Sequence, residues 1–289
     1  MPFAGNIRQT LDPTHPINWQ HPLNRGLVSW WLAHPTGGTG FGSRGWKDLC
    51  KKNDGVLTSY AGMPIWPITP SKLGALTFNG SNNYVNCGIA PSMNPGTGNF
   101  SVGFSMLHSG ASTKGIFCKR TTSDPDNGWS IWTISGTTWK FTLDPGDGNK
   151  REASLSGIGF NDGVWHDWFI SIDRAGLAWF YKDGVVLDTV DVSLASASVS
   201  NTLPVVLGGF SDFSLFIAAQ LTNLAYWSRA LPASEVSALY DQSRQGHIET
   251  RQWISTKRFF IPAITSISPF FWTRSSDNTV GSFFQKNTS

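Results

Sequence analysis

Apolar and polar positions alternate with a period of two along much of this chain. The alternation is densest in Val164–Val190, VWHDWFISIDRAGLAWFYKDGVVLDTV. Trp168, Ile170 and Ile172 alternate with Phe169, Ser171 and Asp173, the spacing of a β-strand. Arg174-Ala175-Gly176 breaks the run, and Leu177, Trp179 and Tyr181 then alternate with Ala178, Phe180 and Lys182. Asp183-Gly184 suits a two-residue hairpin turn, because both central residues of a type I′ turn need positive φ. Val185–Val190 returns as the next strand. The pattern predicts an antiparallel meander with apolar residues on both faces, as in a sheet that belongs to a sandwich.

The same reading predicts strands at 26–32, 100–107, 115–119, 129–135, 139–143, 203–210 and 221–228. Shorter β-structure is expected near Val56-Leu57, Leu76–Phe78 and Tyr84-Val85, with a turn at Asn79-Gly80. One helix is predicted at Leu231–Tyr240, where Pro232 stands early and Val236, Leu239 and Tyr240 fall at i, i+3 and i+4. No solenoid-type repeat and no low-complexity tract occurs. The ends differ from the middle. Residues 1–25 are polar and Pro-punctuated and read as an N-terminal arm. Residues 246–289 read as a mildly basic C-terminal arm, with the aromatics Trp253, Phe259, Phe260, Phe270, Phe271 and Trp272. Paired aromatics are costly to leave in water, so this arm is expected to dock on its own sandwich or on a neighbouring subunit.

Composition narrows the function classes. Charged residues are 14% of the chain and aromatics 13%, with 14 Trp, so much aromatic surface must be buried or offered to a partner. A net charge of +3 without a Lys/Arg cluster argues against nucleic acid. No apolar run approaches the length of a membrane span. MPFAGNIRQT shows no basic segment followed by an apolar core, so synthesis in a cytoplasm without a signal peptide is expected. Cys50, Cys87 and Cys118 are odd in number, far apart and free of metal-ligand spacing, which favours reduced, buried thiols over a disulfide framework.

Three stretches together resemble the laminin-G-like, concanavalin A-like jelly-roll domains. Gly26–Leu32 (GLVSWWL) followed by Asn53–Leu57 (NDGVL) is similar to that family's opening strand and its "NHGTL" element. Leu73–Val85 resembles its "GGALSFDGVDDYV" segment. Trp165-His166, Tyr181–Gly184, Leu224–Leu231 and the helix after them resemble its closing elements. The resemblance covers about residues 26–245 and implies an all-β sandwich of two antiparallel sheets with one short helix. The opening at Pro16–Trp19 and His21–Gly26 resembles the variant found in tailed-bacteriophage structural proteins. That lineage implies a virion location, with other virion proteins or further copies of the chain as partners.

The family's acidic loop is Asn79-Gly80-Ser81-Asn82-Asn83 here, and Thr222 or Asn223 stands where an aspartate is common. Carboxylates supply most of the affinity for calcium, so neither calcium nor any other cofactor is expected at these positions. Asp124, Asp126, Asp144 and Asp147 lie beside Pro and Gly, where turn formation is the plainer reading. Glycoside hydrolysis needs two carboxylates across the sugar, yet Glu152 has no second acid at i±2 or i±4, and Glu235 and Glu249 lie outside the strands. His166 beside Asp167 reads as a strand-end hydrogen-bonder, and no nucleophile elbow, metal spacing or phosphate loop appears. The expectation is therefore a non-enzymatic structural or interaction protein of a virion, docking through its arms. The alternative is a carbohydrate-binding module for a surface glycan, and sugars stack on exposed aromatic faces. Trp129, Trp132 and Trp139, with Asp147, are its candidate residues.

Overall fold

The computed structural model describes residues 17, 19–32, 45–59, 75–124, 126–134 and 138–245. Among the described residues, fifteen strands and one α-helix follow in chain order. They are β1 (Leu27–Trp31), β2 (Gly45–Trp46), β3 (Gly55–Thr58), β4 (Leu76–Asn79), β5 (Tyr84–Asn86), β6 (Phe100–His108), β7 (Lys114–Lys119) and β8 (Gly128–Ile134). Then come β9 (Thr138–Asp144), β10 (Arg151–Ser156), β11 (Trp165–Ile172), β12 (Leu177–Lys182), β13 (Val185–Asp191), β14 (Val206–Leu207), β15 (Ala218–Trp227) and α1 (Ala233–Gln245).

The strands form two antiparallel sheets. One has seven strands in the order β1-β15-β6-β11-β12-β13, with β4 also on β15. The other has eight, in the order β10-β9-β8-β7-β14-β5-β3-β2. The period-two pattern dictates what lies between them. Trp168, Ile170, Ile172 and Phe180 from the first sheet meet Trp129, Ile131, Trp139 and Phe141 from the second in one buried cluster. The predicted hairpin is present, with Asp183 at φ 53° and Gly184 at φ 76°. Gly184 is needed for more than the turn: a Cβ there would stand 2.7 Å from a ring carbon of Tyr240 on α1.

A second core lies on the other side of the seven-stranded sheet. Trp30, Phe169, Tyr181 and Trp227 turn outward and are covered by Leu231, Val236 and Leu239 and by Ile17 and Leu23. Within the predicted N-terminal arm, Ile17 and Leu23 are buried in this core. The Trp227 indole donates to the Leu23 carbonyl at 2.9 Å. The segment is held because covering two outward tryptophans outweighs the entropy of ordering a few residues.

Two further expectations shift. Residues 203–210 were read as one strand, but only Val206-Leu207 pairs, because Gly208 turns the chain at φ 83°. β10 was not foreseen; its sequence REASLS carries only two apolar side chains, Ala153 and Leu155, and both are buried. Cys50, Cys87 and Cys118 are free and buried, as expected. Among the described residues no helix is long and apolar enough to cross a membrane. The C-terminal residues Trp253, Phe259, Phe260, Phe270, Phe271 and Trp272 lie outside the described residues.

Candidate functional site

The two sheets differ in what covers their outer faces, and the eight-stranded sheet leaves aromatic surface in reach of solvent. Strand parity selects which tryptophan does this. Trp129 and Trp132 are three residues apart on β8, so they point to opposite sides of the sheet. Trp129 points inward. It is fully buried between Phe100, Phe117 and Tyr226, with ring centroids 5.2–5.8 Å away. Trp139 also points inward, fully buried against Phe104, Trp168 and Phe180. The expectation that these two offer stacking faces is corrected: both rings are used up in the core. Nearness in sequence to Asp-rich loops does not report strand parity.

Trp132 points outward and is half-buried. Its indole N–H donates to Thr142 Oγ1 on β9 at 3.0 Å, which lays the ring along the sheet. Phe210, from the loop after β14, packs edge-on at 5.8 Å and 66°. The Lys140 ammonium stands over the ring at 5.0 Å. Lys140 also pairs with Glu152 on β10 at 2.7 Å, and Lys150 approaches the same carboxylate at 3.6 Å. Burial opposes ionisation of Glu152, but these lysines hold its carboxyl below the usual range. An aromatic ring bordered by Thr142, Lys140 and Glu152 offers a flat apolar contact beside fixed donors and acceptors.

The acidic loops at the far end of β8 and β9 are structural. Buried Asp144 pairs with buried Arg120 at 3.1 Å, and its other oxygen accepts from Gly146 N–H. Arg120 also donates to the carbonyls of Thr121, Ser123 and Asp126. Asp126 accepts from Thr121 N–H at 2.7 Å. Asp124 ion-pairs with Lys150, which is why its carboxyl sits low. Asp147 is exposed and accepts from Asn149 N–H at 2.9 Å, which lowers its pKa. It lies past the end of β9, whereas Trp132 pairs with Lys140 within the strand, so the structure does not bring Asp147 to Trp132. Lys140, Thr142 and Glu152 are the site residues that sequence reading missed. The available signal was register: Trp132, Lys140 and Ser154 share one row across β8, β9 and β10, and Ser130, Thr142 and Glu152 share the next.

The loop that is acidic in the resembling family is closed on itself here. Asn79 Oδ1 accepts the N–H groups of Ser81, Asn82 and Asn83. Asn223 accepts the Trp30 indole N–H at 2.8 Å. No group of three His, Cys, Asp or Glu side chains suited to a metal ion occurs among the described residues. His166 bridges Asp183 and Asp162 at 2.7 and 3.0 Å, tying the loop before β11 to the β12–β13 turn.

A family model described as concanavalin A-like lectin/glucanases superfamily matches residues 79–237, more than half of the chain. No curated protein matches the chain. Among solved structures, the chain is similar to the binding domain of paraclostridial mosquitocidal protein 1 (TM-score 0.59, 16% identity, 76% of this chain and 53% of that one). It is also similar to the binding domain of botulinum neurotoxin DC in complex with SialylT (0.55, 15%, 76% and 52%). A third likeness is to the Trypanosoma rangeli sialidase in complex with sialic acid (0.52, 14%, 76% and 33%). The chain spans about half the length of the two toxin structures and a third of the sialidase. At these identities the likeness shows the fold.

Proposed function

The chain belongs to the concanavalin A-like lectin/glucanases superfamily, and from that membership we propose that it is a non-enzymatic recognition module that binds a glycan on the outer face of its eight-stranded sheet. The observation that carries this reading is Trp132, an outward ring framed by Lys140, Thr142 and Glu152. Sugars present one apolar face and a ring of hydroxyls, which such a frame matches. The likeness to two toxin binding domains supports binding over catalysis. So does the state of the carboxylates. A glycosidase needs two acids free to exchange protons across the sugar. Glu152 is tied to two lysines, Asp144 to Arg120, and Asp167 lies on the other sheet, hydrogen-bonded to Ser105. The test is a printed glycan microarray probed with the native chain and with Trp132→Ala. Binding that the substitution removes supports the reading; no bound glycan refutes it.

A second reading is favoured by one feature of the sequence, the paired aromatics and net positive charge of residues 246–289. In it the chain is a phage virion component that joins other subunits, or copies of itself, through Trp253, Phe259, Phe260, Phe270, Phe271 and Trp272, and presents the sandwich outward. Light scattering on the full chain and on a chain ending at 245 tests it. Assembly by the full chain alone supports it, and two monomers oppose it.

A further inference from the structure

We propose that the same face carries a second stacking platform, and that its ligand is a chain of linked sugars long enough to touch both; this rests on the glycan reading of Trp132. The second platform is built on Tyr84 of β5. Phe216 stacks on it at 5.2 Å and 12°, and Phe213 lies against it at 5.0 Å and 30°. Tyr84 is on the outer face because its neighbour Val85 is buried in the inter-sheet core. Phe213 and Leu215 are 40% and 37% exposed, and Val56 on the adjacent strand is 58% exposed. The patch is apolar, aromatic and open.

The backbone holds it in that state. Phe213 and Leu215 sit at φ 57° and 49°, a region that bulky side chains normally avoid. Strain of this kind persists only where surrounding bonds fix it, and it gathers at binding sites. The bonds are present. Phe213 N–H donates to Phe210, Phe210 N–H to Ser214, and Ile217 N–H to Gly208, at 2.9–3.1 Å. Asp212 accepts from Thr122 N–H and Oγ at 3.1 and 2.6 Å and from Ser214 Oγ at 2.6 Å. Gly115 lets the loop lie flat on the sheet, since a Cβ there would stand 2.4 Å from the Gly209 carbonyl carbon. Two apolar side chains are thus left partly exposed on a loop that its own hydrogen bonds hold in place.

Register places the two platforms in line. Val85, Leu207, Phe117 and Ile131 form one row across β5, β14, β7 and β8. Tyr84 and Trp132 are each one residue further along that row, on the same side of it. Three inter-strand steps separate them, about 14 Å. A single sugar ring reaches one platform; a run of several reaches both, crossing the strands. Phe210, edge-on to Trp132, belongs to the loop that spans the gap.

The experiment uses a microarray in which each glycan class is printed as a ladder of chain lengths, followed by titration calorimetry on the bound class. The proteins are the native chain, Phe213→Gly and Trp132→Ala. Glycine accepts the φ of residue 213, so the loop keeps its path, and near-ultraviolet circular dichroism checks the fold. The expected result is native affinity that rises about tenfold or more once the ligand spans both platforms. Phe213→Gly then removes that rise and leaves short ligands unchanged. Binding that does not depend on length, lost in Trp132→Ala but untouched by Phe213→Gly, overturns this inference and leaves the first platform standing. No glycan bound by the native chain overturns both.

Discussion

The seven-stranded sheet buries two of its outer tryptophans, Trp30 and Trp227, under α1 and the segment before β1, with 1% of each exposed, and leaves Trp179 half-buried. The eight-stranded sheet leaves Trp132 and Tyr84 within reach of water, together with Phe213 of the ten-residue loop Gly208–Ile217, whose Leu215 carbonyl accepts from Gly115 N–H on β7 at 2.8 Å. Both faces began with outward aromatics. One is sealed into a second core around Trp30 and Trp227, while β13 at its edge stays exposed. The other carries a loop with Phe213 and Leu215 at positive φ and leaves Trp132 half-buried. The energetic weight of an aromatic residue in this fold thus depends on which outer face it occupies.

The comparison breaks most sharply under paired substitutions. Trp227→Ala is expected to destabilise the chain by about 3–5 kcal/mol, because the cavity sits in a closed core. Trp132→Ala is expected to cost about 1 kcal/mol or less while abolishing glycan binding. Urea unfolding measures both, and equal losses would erase the distinction.

Alkaline pH is the next lever. Burial pushes the thiols of Cys50, Cys87 and Cys118 up, so they are neutral in the fold and ionise near 9 once exposed. A raised folded value means stability is complete below that pH and is lost as pH rises through it, at about 1.4 kcal/mol per unit for each thiol. Lys119 acts in the opposite sense. Burial pushes its amine down to about 8 from 10.5, so stability rises across that window. Three thiols outweigh one lysine above pH 9, and unfolding free energy is expected to fall there. Cys118→Ala should flatten the slope; an unchanged slope would show that the thiols do not govern it.

A smaller effect tests the strained loop. Leu215→Gly is expected to stabilise by about 0.5–1 kcal/mol, since a side chain at φ 49° is relieved and little packing is lost. The same change at Leu239, 3% exposed in α1, is expected to cost about 3–5 kcal/mol. The smallest expected effect is none: chelation by EDTA should leave glycan binding unchanged, because Asn79 Oδ1 is already occupied by three backbone N–H groups. Loss of binding in EDTA would place a metal in the site.

Much of the fold was legible because its signals are local. The alternation at 168–173 names the inward set, Asp183-Gly184 names the turn, and Val236 and Leu239 name the buried side of α1. The site was less legible because its signals are not local. Trp129 and Trp132 look alike in sequence, and only the pairing of Thr133 with Trp139 and of Trp132 with Lys140 shows which turns inward. Register is a property of three strands together, so Lys140, Thr142 and Glu152 do not announce themselves along the chain. The stretch FSDFSLF carries aromatics at 210, 213 and 216, a spacing that does not fit the period of a strand. Backbone angles that bulky residues rarely adopt bring it onto the sheet. The second core escaped for a related reason. An outward tryptophan reads as exposed until the chain that covers it, here Ile17 and Leu23, has been placed.

The pairing of β1 with β15 brings the two ends of the sandwich to one corner, where Arg229 donates to the carbonyl of Arg25 and Ser228 N–H to that of Gly26 at 2.7 Å. That corner belongs to the seven-stranded sheet, so the bonds that close the sandwich lie on the sheet that does not carry Trp132. Several Trp132 faces brought together would turn weak single contacts into strong avidity with no new contact in any one of them.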